Sequence, residues 1–241
     1  MSAKCNSKDR LIMRTLVMIP AYNEQEAILD TVRDLSLHHP EVDVLVINDA
    51  SIDATRKILR ENNINHVDLP LNLGIGGGVQ TGYLYALENG YDIAVQMDGD
   101  GQHPASELNK IIQPIIEGKA NVVVGSRFVE KDGFQSSALR RIGIKFLSGM
   151  IYINTKLKVA DVTSGYRAAD RKYIEIFAKE YAQDYPEPEA LVTIARTGGT
   201  VVEVPVIMKE RQGGVSSISP LKSIYYMIKV SLAIFIRNMA R

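Results

Sequence analysis

The sequence predicts an α/β protein whose central sheet is mainly parallel and flanked by helices. Short apolar runs alternate with segments of helical length, which is the pattern of consecutive βαβ units. Each run ends in a loop rich in Asp, Asn, Gly or Pro, as expected where a strand leaves a sheet. The 241 residues, 46% of them hydrophobic, suit one such domain, with room for a small appendage.

The first half of the chain carries the clearest pattern. The apolar runs predict strands over residues 11–19, 42–47, 66–69, 93–97 and 121–125, the first stopped by Pro20. The segments between them predict helices over residues 54–62, 79–88 and 107–117. A further helix is expected to open at residues 23–26, with Asn23 as its N-cap and acids in its first turn.

The second half is less regular. Its predicted segments are a helix within residues 134–154, a loop over 161–171, a proline-marked turn leading into 190–196, and a β-like stretch over 200–208.

Composition excludes several classes of protein. Lys+Arg and Asp+Glu both number 28, so the basic excess of a bulk nucleic-acid binder is absent. The single cysteine, Cys5, excludes an internal disulfide framework and fits a reducing compartment. Residues 1–10 are too polar for a secretory signal, and no run approaches the roughly 20 apolar residues of a spanning helix. We therefore expect a cytoplasmic protein.

The most informative segment is Asp98-Gly99-Asp100, which directly follows an apolar run. Ligands of open α/β sheets bind at the carboxyl ends of the strands, where this segment would lie. Two carboxylates without a neighbouring Lys or Arg repel each other unless a cation lies between them, and Mg²⁺ commonly completes its shell with substrate phosphates. Asp and Gly are also ordinary turn residues, so on these residues alone a metal site and a plain turn are equally good interpretations.

The glycine-rich stretch over residues 73–78 matches no familiar phosphate-binding pattern. It follows the third predicted strand, and Val79 stands where G-x-G-x-x-G requires its last glycine. No Gly-Lys-Ser/Thr closes it, so it is not a P-loop. The stretch is typical of a flexible turn that also permits close approach of a phosphate.

Six motifs follow one another along the chain: IPAYNE, INDASID, NLGIGGG, MDGDGQHP, VGSR and DVTSGYR. In this order they resemble the family 2 glycosyltransferases, and within them the polyprenyl-phosphate branch that includes dolichol-phosphate mannose synthase. The resemblance implies a GT-A nucleotide-binding fold over residues 14–217, after a polar leader at 1–13 and before a C-terminal amphipathic helix at 218–241. It also implies a nucleotide-diphosphate sugar donor, UDP- or GDP-linked, and Mg²⁺ or Mn²⁺ as cofactor.

The resemblance assigns roles to individual residues. A nucleotide pocket is implied at Pro20, Tyr22, Glu24, Asp49 and Asp98, and a metal site at Asp98, Asp100 and Gln102. Acceptor-phosphate contacts are implied at Arg127 and Arg141, and catalytic roles at Asp100, Asp161 and Arg211. At Lys145, four residues beyond Arg141, the family often places a serine, and this departure leaves the exact acceptor open.

Several of these residues also have plain structural interpretations. Asp161 could pair with Arg167 or Arg171, and Arg141 could be a solvated charge. The acids of the Glu187-Pro188-Glu189 stretch are expected to start a helix, or else to face the sugar.

Charge favours a phosphate acceptor, because a hydroxyl acceptor would need a general base and an anionic phosphate would need only positioning arginines. We therefore expect inverting transfer to a polyprenyl phosphate. The alternatives are extension of a polysaccharide or glycolipid hydroxyl, a sugar-nucleotide pyrophosphorylase and a non-catalytic nucleotide-sugar binding module. The pyrophosphorylase is disfavoured because its glycine-rich, basic motif belongs at the first strand.

The last segment is mostly apolar from residue 224 to 236 and carries cations on one side of a helical projection. It suits an interfacial helix at the inner face of a membrane, or a helix packed on protein. A membrane surface, a small membrane protein and a second copy of the chain are the partners that this segment suggests.

Overall fold

The computed structural model describes residues 13–130, 138–184 and 186–211. The predicted leader and C-terminal helix, at 1–13 and 218–241, therefore lie almost wholly outside the described residues. Within the described residues, no helix is long and apolar enough to cross a bilayer.

A seven-stranded sheet runs through the domain in the order β3-β2-β1-β4-β6-β5-β7. The strands are β1 (Thr15–Ala21), β2 (Asp43–Asn48), β3 (His66–Asp68), β4 (Ile93–Gln96), β5 (Val122–Ser126), β6 (Arg167–Asp170) and β7 (Val201–Pro205). All are parallel except β6, which is antiparallel to both of its neighbours. The predicted mainly parallel sheet is confirmed.

Helices cover both faces of this sheet. They are α1 (Ile28–His38), α2 (Thr55–Glu61), α3 (Gly74–Glu88), α4 (Leu108–Ile116), α5 (Ala138–Thr155), α6 (Arg171–Lys179) and α7 (Pro186–Arg196). Alternate residues of β1 enter opposite cores: Leu16 and Met18 pack with α3, α5, α6 and α7, whereas Val17 and Ile19 pack with α1, α2 and α4. This alternation is why the central strands read as continuous apolar runs.

The first strand differs from its prediction at the carboxyl end. Pro20 does not stop β1, because the strand continues to Ala21 and Pro20 pairs with Ile47 of β2. Pairing with β4 ends at Met18, so the missing N–H of Pro20 costs the sheet no hydrogen bond on that side.

The predicted cap at Asn23 is also wrong, since α1 begins only at Ile28. Asn23 has a positive φ of 58° and its side-chain oxygen accepts the Ile52 N–H at 2.9 Å. It therefore connects two loops instead of capping a helix.

The glycine-rich stretch is helical, contrary to the predicted turn, because α3 begins at Gly74. Tertiary contacts explain a helix with so many glycines in its first turns. A Cβ at Gly76 would collide with the backbone carbonyl oxygens of Ala182 and Gln183, so the glycine permits α3 to lie against this segment.

The structure also contains β6 and α6 where the sequence predicted a loop over 161–171 and no helix after it. Arg167–Asp170 has no alternating pattern and no β-branched residue. It forms a strand because β4 and β5 flank it on both sides and its alanines are fully buried between them.

Replacing Gly76 with alanine is predicted to lower the free energy of unfolding by about 1–3 kcal/mol, because the added methyl group overpacks a backbone contact. Gly149→Ala in α5 is the matched control, since nothing lies within 4 Å of its Cβ position. That change should raise stability by about 0.5–1 kcal/mol through helix propensity alone. Urea unfolding of both variants tests the prediction, and an unchanged midpoint for Gly76→Ala would contradict it.

Candidate active site

The predicted site residues converge at the carboxyl edge of β2, β1 and β4, which are adjacent strands. The loop after β1 donates two backbone hydrogen bonds to side chains in the loop after β2 and at the start of α2. The Asn23 N–H donates to Ser51 Oγ at 3.0 Å, and the Glu24 N–H donates to Thr55 Oγ1 at 2.9 Å. The IPAYNE and INDASID motifs therefore form one structural unit.

Asp49, predicted to line a nucleotide pocket, is buried and bound to the start of α3. Its carboxylate accepts the N–H groups of Leu73 at 2.6 Å and Gly74 at 2.9 Å. Two of the unpaired donors of the helix N-terminus are thereby satisfied. Asp49 thus positions the glycine-rich end of α3 beside the edge where Tyr22 is exposed and Pro20 is buried.

Three carboxylates crowd the space at the end of β1 and β4. Burial raises the pKa of Glu24 to about 7, with further upward contributions from Asp100 and Asp98. Burial also raises the pKa of Asp98, and burial together with the charge of Asp98 raises that of Asp100. Mutual repulsion of this kind is relieved by a cation.

Arg211 supplies one positive charge to this acidic cluster of Glu24, Asp98 and Asp100. Its guanidinium donates to Glu24 Oε1, and its Nε lies 3.7 Å from Asp100 Oδ2. The segment before it is anchored to the β4 loop, because the Lys209 N–H donates to the Gln102 carbonyl at 2.9 Å. The late arginine that the sequence singled out is therefore brought to the predicted metal motif.

Two hydrogen bonds within the loop of residues 98–103 fix its conformation. The Gln102 N–H donates to Asp100 Oδ1 at 3.0 Å, and the Asp98 N–H donates to Nδ1 of His103 at 3.0 Å. Burial lowers the pKa of His103 to about 4, and its ring stacks on Tyr166 with centroids 4.8 Å apart. His103 is accordingly neutral at pH 7, and its hydrogen bond to the Asp98 N–H holds the loop.

Arg127 and Asp161, assigned different roles by the resemblance, are partners. Nε and Nη2 of Arg127 lie 2.7 Å from the two carboxylate oxygens of Asp161, and both residues are buried. Burial opposes the charge on Arg127, but the hydrogen bonds and charge of Asp161 outweigh it and raise the pKa of Arg127. Two parallel charge-assisted hydrogen bonds fix the guanidinium plane.

The expected structural pairing of Asp161 with Arg167 or Arg171 is therefore wrong. Arg167 donates to the carbonyl oxygens of Ser164, Glu187 and Val162 at 2.6–2.8 Å, and Arg171 pairs with Glu175 at 3.5 Å. Arg167 thereby fixes the loop that carries Asp161.

Among the two arginines at the start of α5, it is Arg140 whose charge lowers the pKa of Asp98. Arg140, Arg141 and Lys145 are all exposed on α5. A helix turns 100° per residue, so Arg140 projects on the same side as buried Ile144 and Ile151, and Arg141 does not. Arg140, to which the sequence gave no role, therefore adds positive charge on the side of Asp98.

Two further residues were missed because neither has a recognisable chemical motif of its own. A Cβ at Gly165 would lie 2.8 Å from Asp98 Oδ1, so only glycine permits this loop to pass beside the carboxylate. Gln96 is fully buried below Asp98, and its Nε2 lies 3.5 Å from Glu187 Oε1. Glu187 is at the start of α7 as expected, but it also faces the acidic cluster, where burial raises its pKa.

The fold and this acidic edge define a glycosyltransferase, and sequence comparison gives the family. The family model described as Glycosyl transferase family 2 matches residues 16–177. The chain belongs to that family, which confirms the resemblance carried by the six motifs.

Curated relatives cover most of the chain. An undecaprenyl-phosphate mannosyltransferase of Micrococcus luteus is 34% identical over 217 residues, covering 86% of this chain and 88% of its own. A UDP-N-acetylglucosamine–dolichyl-phosphate N-acetylglucosaminyltransferase of Methanococcus voltae is 32% identical, with coverage of 82% and 85%. A polyprenol monophosphomannose synthase of Mycolicibacterium smegmatis is 30% identical, with coverage of 92% and 87%.

Solved structures share the fold at lower identity. Mannosyl-3-phosphoglycerate synthase from Rubrobacter xylanophilus superposes with a TM-score of 0.73 at 19% identity, covering 95% of this chain and 75% of its own. Glucosyl-3-phosphoglycerate synthase from Mycobacterium tuberculosis, solved with Mn²⁺ and UDP-glucose, gives 0.68 at 19% identity, with coverage of 94% and 80%. The predicted α/β glycosyltransferase fold is confirmed over the described residues.

Asp161→Asn is predicted to destabilise the fold by about 3–5 kcal/mol, because it leaves the buried guanidinium of Arg127 without its counter-charge. Glu175→Gln, which breaks the half-exposed pair with Arg171, is the control and should cost less than about 1 kcal/mol. Chemical denaturation measures both changes, and equal costs would contradict the proposed burial effect.

The raised pKa of Glu24 predicts a specific pH dependence. Folded Glu24 binds its proton more tightly than the ordinary carboxyl of pKa 4.5, so its contribution to stability is fully present below pH 4.5 and is lost as the pH rises to about 7. In metal-free buffer, the stability of wild type relative to Glu24→Gln should therefore fall between pH 4.5 and 7 and then level off. Parallel pH profiles of the two proteins in urea unfolding would disprove the assignment.

Proposed function

We propose that the protein transfers a sugar, with inversion, from a nucleotide-diphosphate donor to a polyprenyl phosphate, with the help of a divalent cation. The observation that carries this proposal is the meeting of carboxylates and guanidinium groups at one edge of the sheet: Arg211 pairs with Glu24 and Asp100, and Arg127 pairs with Asp161. The charges of Arg127, Arg211 and Arg140 each lower the pKa of Asp98 against its burial. Cations at such density suit two phosphate-bearing substrates meeting at one point.

Relatives support the choice of acceptor. The three curated relatives are named for undecaprenyl phosphate, dolichyl phosphate and polyprenol monophosphomannose, and they match this chain along most of its length. A phosphate acceptor arrives already ionised, so it needs positioning and not deprotonation.

The acids fit a divalent cation that completes its coordination with substrate. Asp98 raises the pKa of Asp100, as expected for two carboxylates that share a space without a metal between them. Within the described residues, no group of three or more His, Cys, Asp or Glu side chains is arranged as a metal site. Asp98, Asp100 and Gln102 would hold Mg²⁺ or Mn²⁺ together with donor phosphates and water, because Mg²⁺ is commonly bound by one or two carboxylates plus substrate phosphates.

Such a cation, when bound, neutralises the negative charge that develops on the leaving diphosphate. Side chains of the protein supply the remaining contacts to the donor. Arg211, held at Glu24 and Asp100, adds its positive charge on the same side. Exposed Tyr22 contacts the nucleoside, while Asp49 keeps the start of α3 beside it.

On the acceptor side, Asp161 fixes the plane of Arg127, and Arg140 completes a basic contact for the acceptor phosphate. Arg141 is exposed beside them and provides a further charge for the lipid phosphate. The enzyme would then work at the cytoplasmic face of a membrane, with a small membrane protein or a second copy of the chain as an added anchor.

A hydroxyl acceptor is the second candidate, and one observation favours it. Glu24 has a pKa of about 7, and burial raises the pKa of Glu187 next to Gln96. A carboxylate with a pKa near neutrality is suited to serve as a general base toward a sugar hydroxyl.

The two candidates are separated by incubating the full chain with UDP- and GDP-linked sugars and Mn²⁺, and with one of three acceptors: a short polyprenyl phosphate, the matching polyprenol or an oligosaccharide. A product of sugar mass plus polyprenyl phosphate supports the proposal. Product with the alcohol, or with an oligosaccharide only, supports the hydroxyl acceptor. Donor consumption that gives no product with any of the acceptors would refute both candidate functions.

Asp100→Asn is predicted to reduce Mn²⁺-dependent turnover by at least about 100-fold, because it removes one metal-binding carboxylate. Mn²⁺ affinity in the presence of nucleoside diphosphate, measured by the loss of free-ion electron spin resonance, should fall in parallel. Glu61→Gln, on the exposed surface of α2, is the matched control and should change neither quantity. Full metal-dependent turnover by Asp100→Asn would refute the metal assignment.

A further inference from the structure

Helix α1 contacts the loop of residues 98–103 near its start and just beyond its end. Near the start, Thr31 Oγ1 donates to the Gly99 carbonyl at 3.5 Å, and a Cβ at Gly99 would lie only 3.3 Å from Cδ1 of Ile28. Beyond the end, side chains of α1 and of the residue that follows it bind the backbone of Ala105. Two of the three proposed metal ligands lie between these two points of contact.

The middle of this loop is not close-packed on α1. An open cavity of about 290 Å³ lies between them, with Gly101 and His103 of the loop on one side and Thr31 and Leu37 of the helix on the other. Close packing normally fixes a buried segment, and a gap forfeits those contacts. On this side, the position of the loop therefore depends on its hydrogen bonds to α1.

Ala105 has both of its backbone groups bound by side chains. Its N–H donates to Asp34 Oδ2 at 3.0 Å, and its carbonyl oxygen lies 3.0 Å from Nε2 of His39. The same carbonyl accepts the Leu108 N–H at the start of α4, so His39 joins the end of the loop to that helix. Ala105 is fully buried, and its N–H would be left without a partner if the carboxylate of Asp34 were removed.

His39 is buried at the end of α1, and each of its ring nitrogens faces an acceptor. Nε2 faces the Ala105 carbonyl, and Nδ1 lies 2.9 Å from Oε1 of Glu41. A neutral imidazole has a single N–H, so both contacts together require the imidazolium. The Glu41 side chain is 60% exposed and can turn to water, so the one proton of a neutral ring belongs on Nε2. The contact with Ala105 is thus kept in either form.

We propose that Asp34 and His39 are positioning residues for the divalent-cation site. They hold the backbone at Ala105, and this fixes the point from which Asp100 and Gln102 are presented to the cation. Mg²⁺ demands near-ideal geometry, so a small displacement of its ligands weakens binding. Neither positioning residue belongs to any of the six motifs. The inference rests on the proposed function for the presence of the cation.

Binding of Mn²⁺ without any acceptor tests this proposal. The full-length protein is titrated with Mn²⁺ in the presence of UDP or GDP, and the free ion is followed by electron spin resonance. Asp34→Ala and His39→Leu should each weaken Mn²⁺ affinity about 10-fold, as for residues that support metal ligands indirectly. Asp34→Asn keeps an acceptor oxygen and His39→Gln keeps an N–H donor, so these variants should recover most of the affinity.

Asn121→Ala is the control for a general loss of stability. Asn121 is hydrogen-bonded to Asp170 and to Thr200 at the opposite edge of the sheet, so its replacement should leave Mn²⁺ affinity unchanged. All titrations are made at a temperature at which unfolding curves show each variant to be folded. Wild-type affinity in Asp34→Ala and His39→Leu would overturn the proposal, and so would an equal loss of affinity in Asn121→Ala.

Hydrogen exchange of the wild-type protein adds a test that needs no variant. Without metal, the Ala105 N–H should exchange with deuterium much more slowly than in an unstructured peptide, because it is buried and bonded to Asp34. Exchange at the rate of an unstructured peptide would show that α1 does not hold this segment, and the proposal would be wrong.

These outcomes are distinct from those that test the proposed function. If wild type and every variant bind Mn²⁺ equally well, the positioning role is refuted and the proposed function stands. If the affinities follow the expected order but no acceptor receives a sugar, the proposed function alone is refuted. If the wild-type protein binds no Mn²⁺ with either nucleotide, both are overturned.

Discussion

The crowding of carboxylates at one edge of the sheet is the constraint on which the arrangement of the rest of the site depends. Glu24, Asp98 and Asp100 each have a raised pKa, and the charge of Asp98 contributes to the shifts of both Glu24 and Asp100. A fold tolerates such repulsion only where cations compensate it. Arg211 provides part of this compensation, so the acids and the end of the described chain depend on each other.

The antiparallel strand β6 determines which other residues reach those acids. Because β6 runs opposite to β4 and β5, the loop that precedes it lies at the carboxyl edge, with Arg167 opposite Gln96. That loop brings Asp161 to Arg127 and glycine to the side of Asp98. An all-parallel sheet would have placed the same loop at the far edge, away from the chemistry.

Much of the secondary structure and of the candidate site could be predicted from local patterns in the sequence. Apolar runs and polar loops identified six of the seven strands and most helices, and the family resemblance assigned Asp98, Asp100 and Arg211 to one site. Prediction failed where a tertiary contact overrides local preference. Gly74 begins a helix because Asp49 accepts its N–H, and the Arg167–Asp170 segment is a strand because two others pair with it.

By itself, the sequence determined the α/β class, the glycosyltransferase family and the residues whose chemistry the site uses, because periodicity and motif order are local properties of a chain. Only the tertiary structure decided how those residues are paired. Asp161 binds Arg127 and not its sequence neighbours Arg167 or Arg171. The reason is physical: a buried charge takes the partner that strand order and helix rotation bring within reach, whatever its distance along the chain.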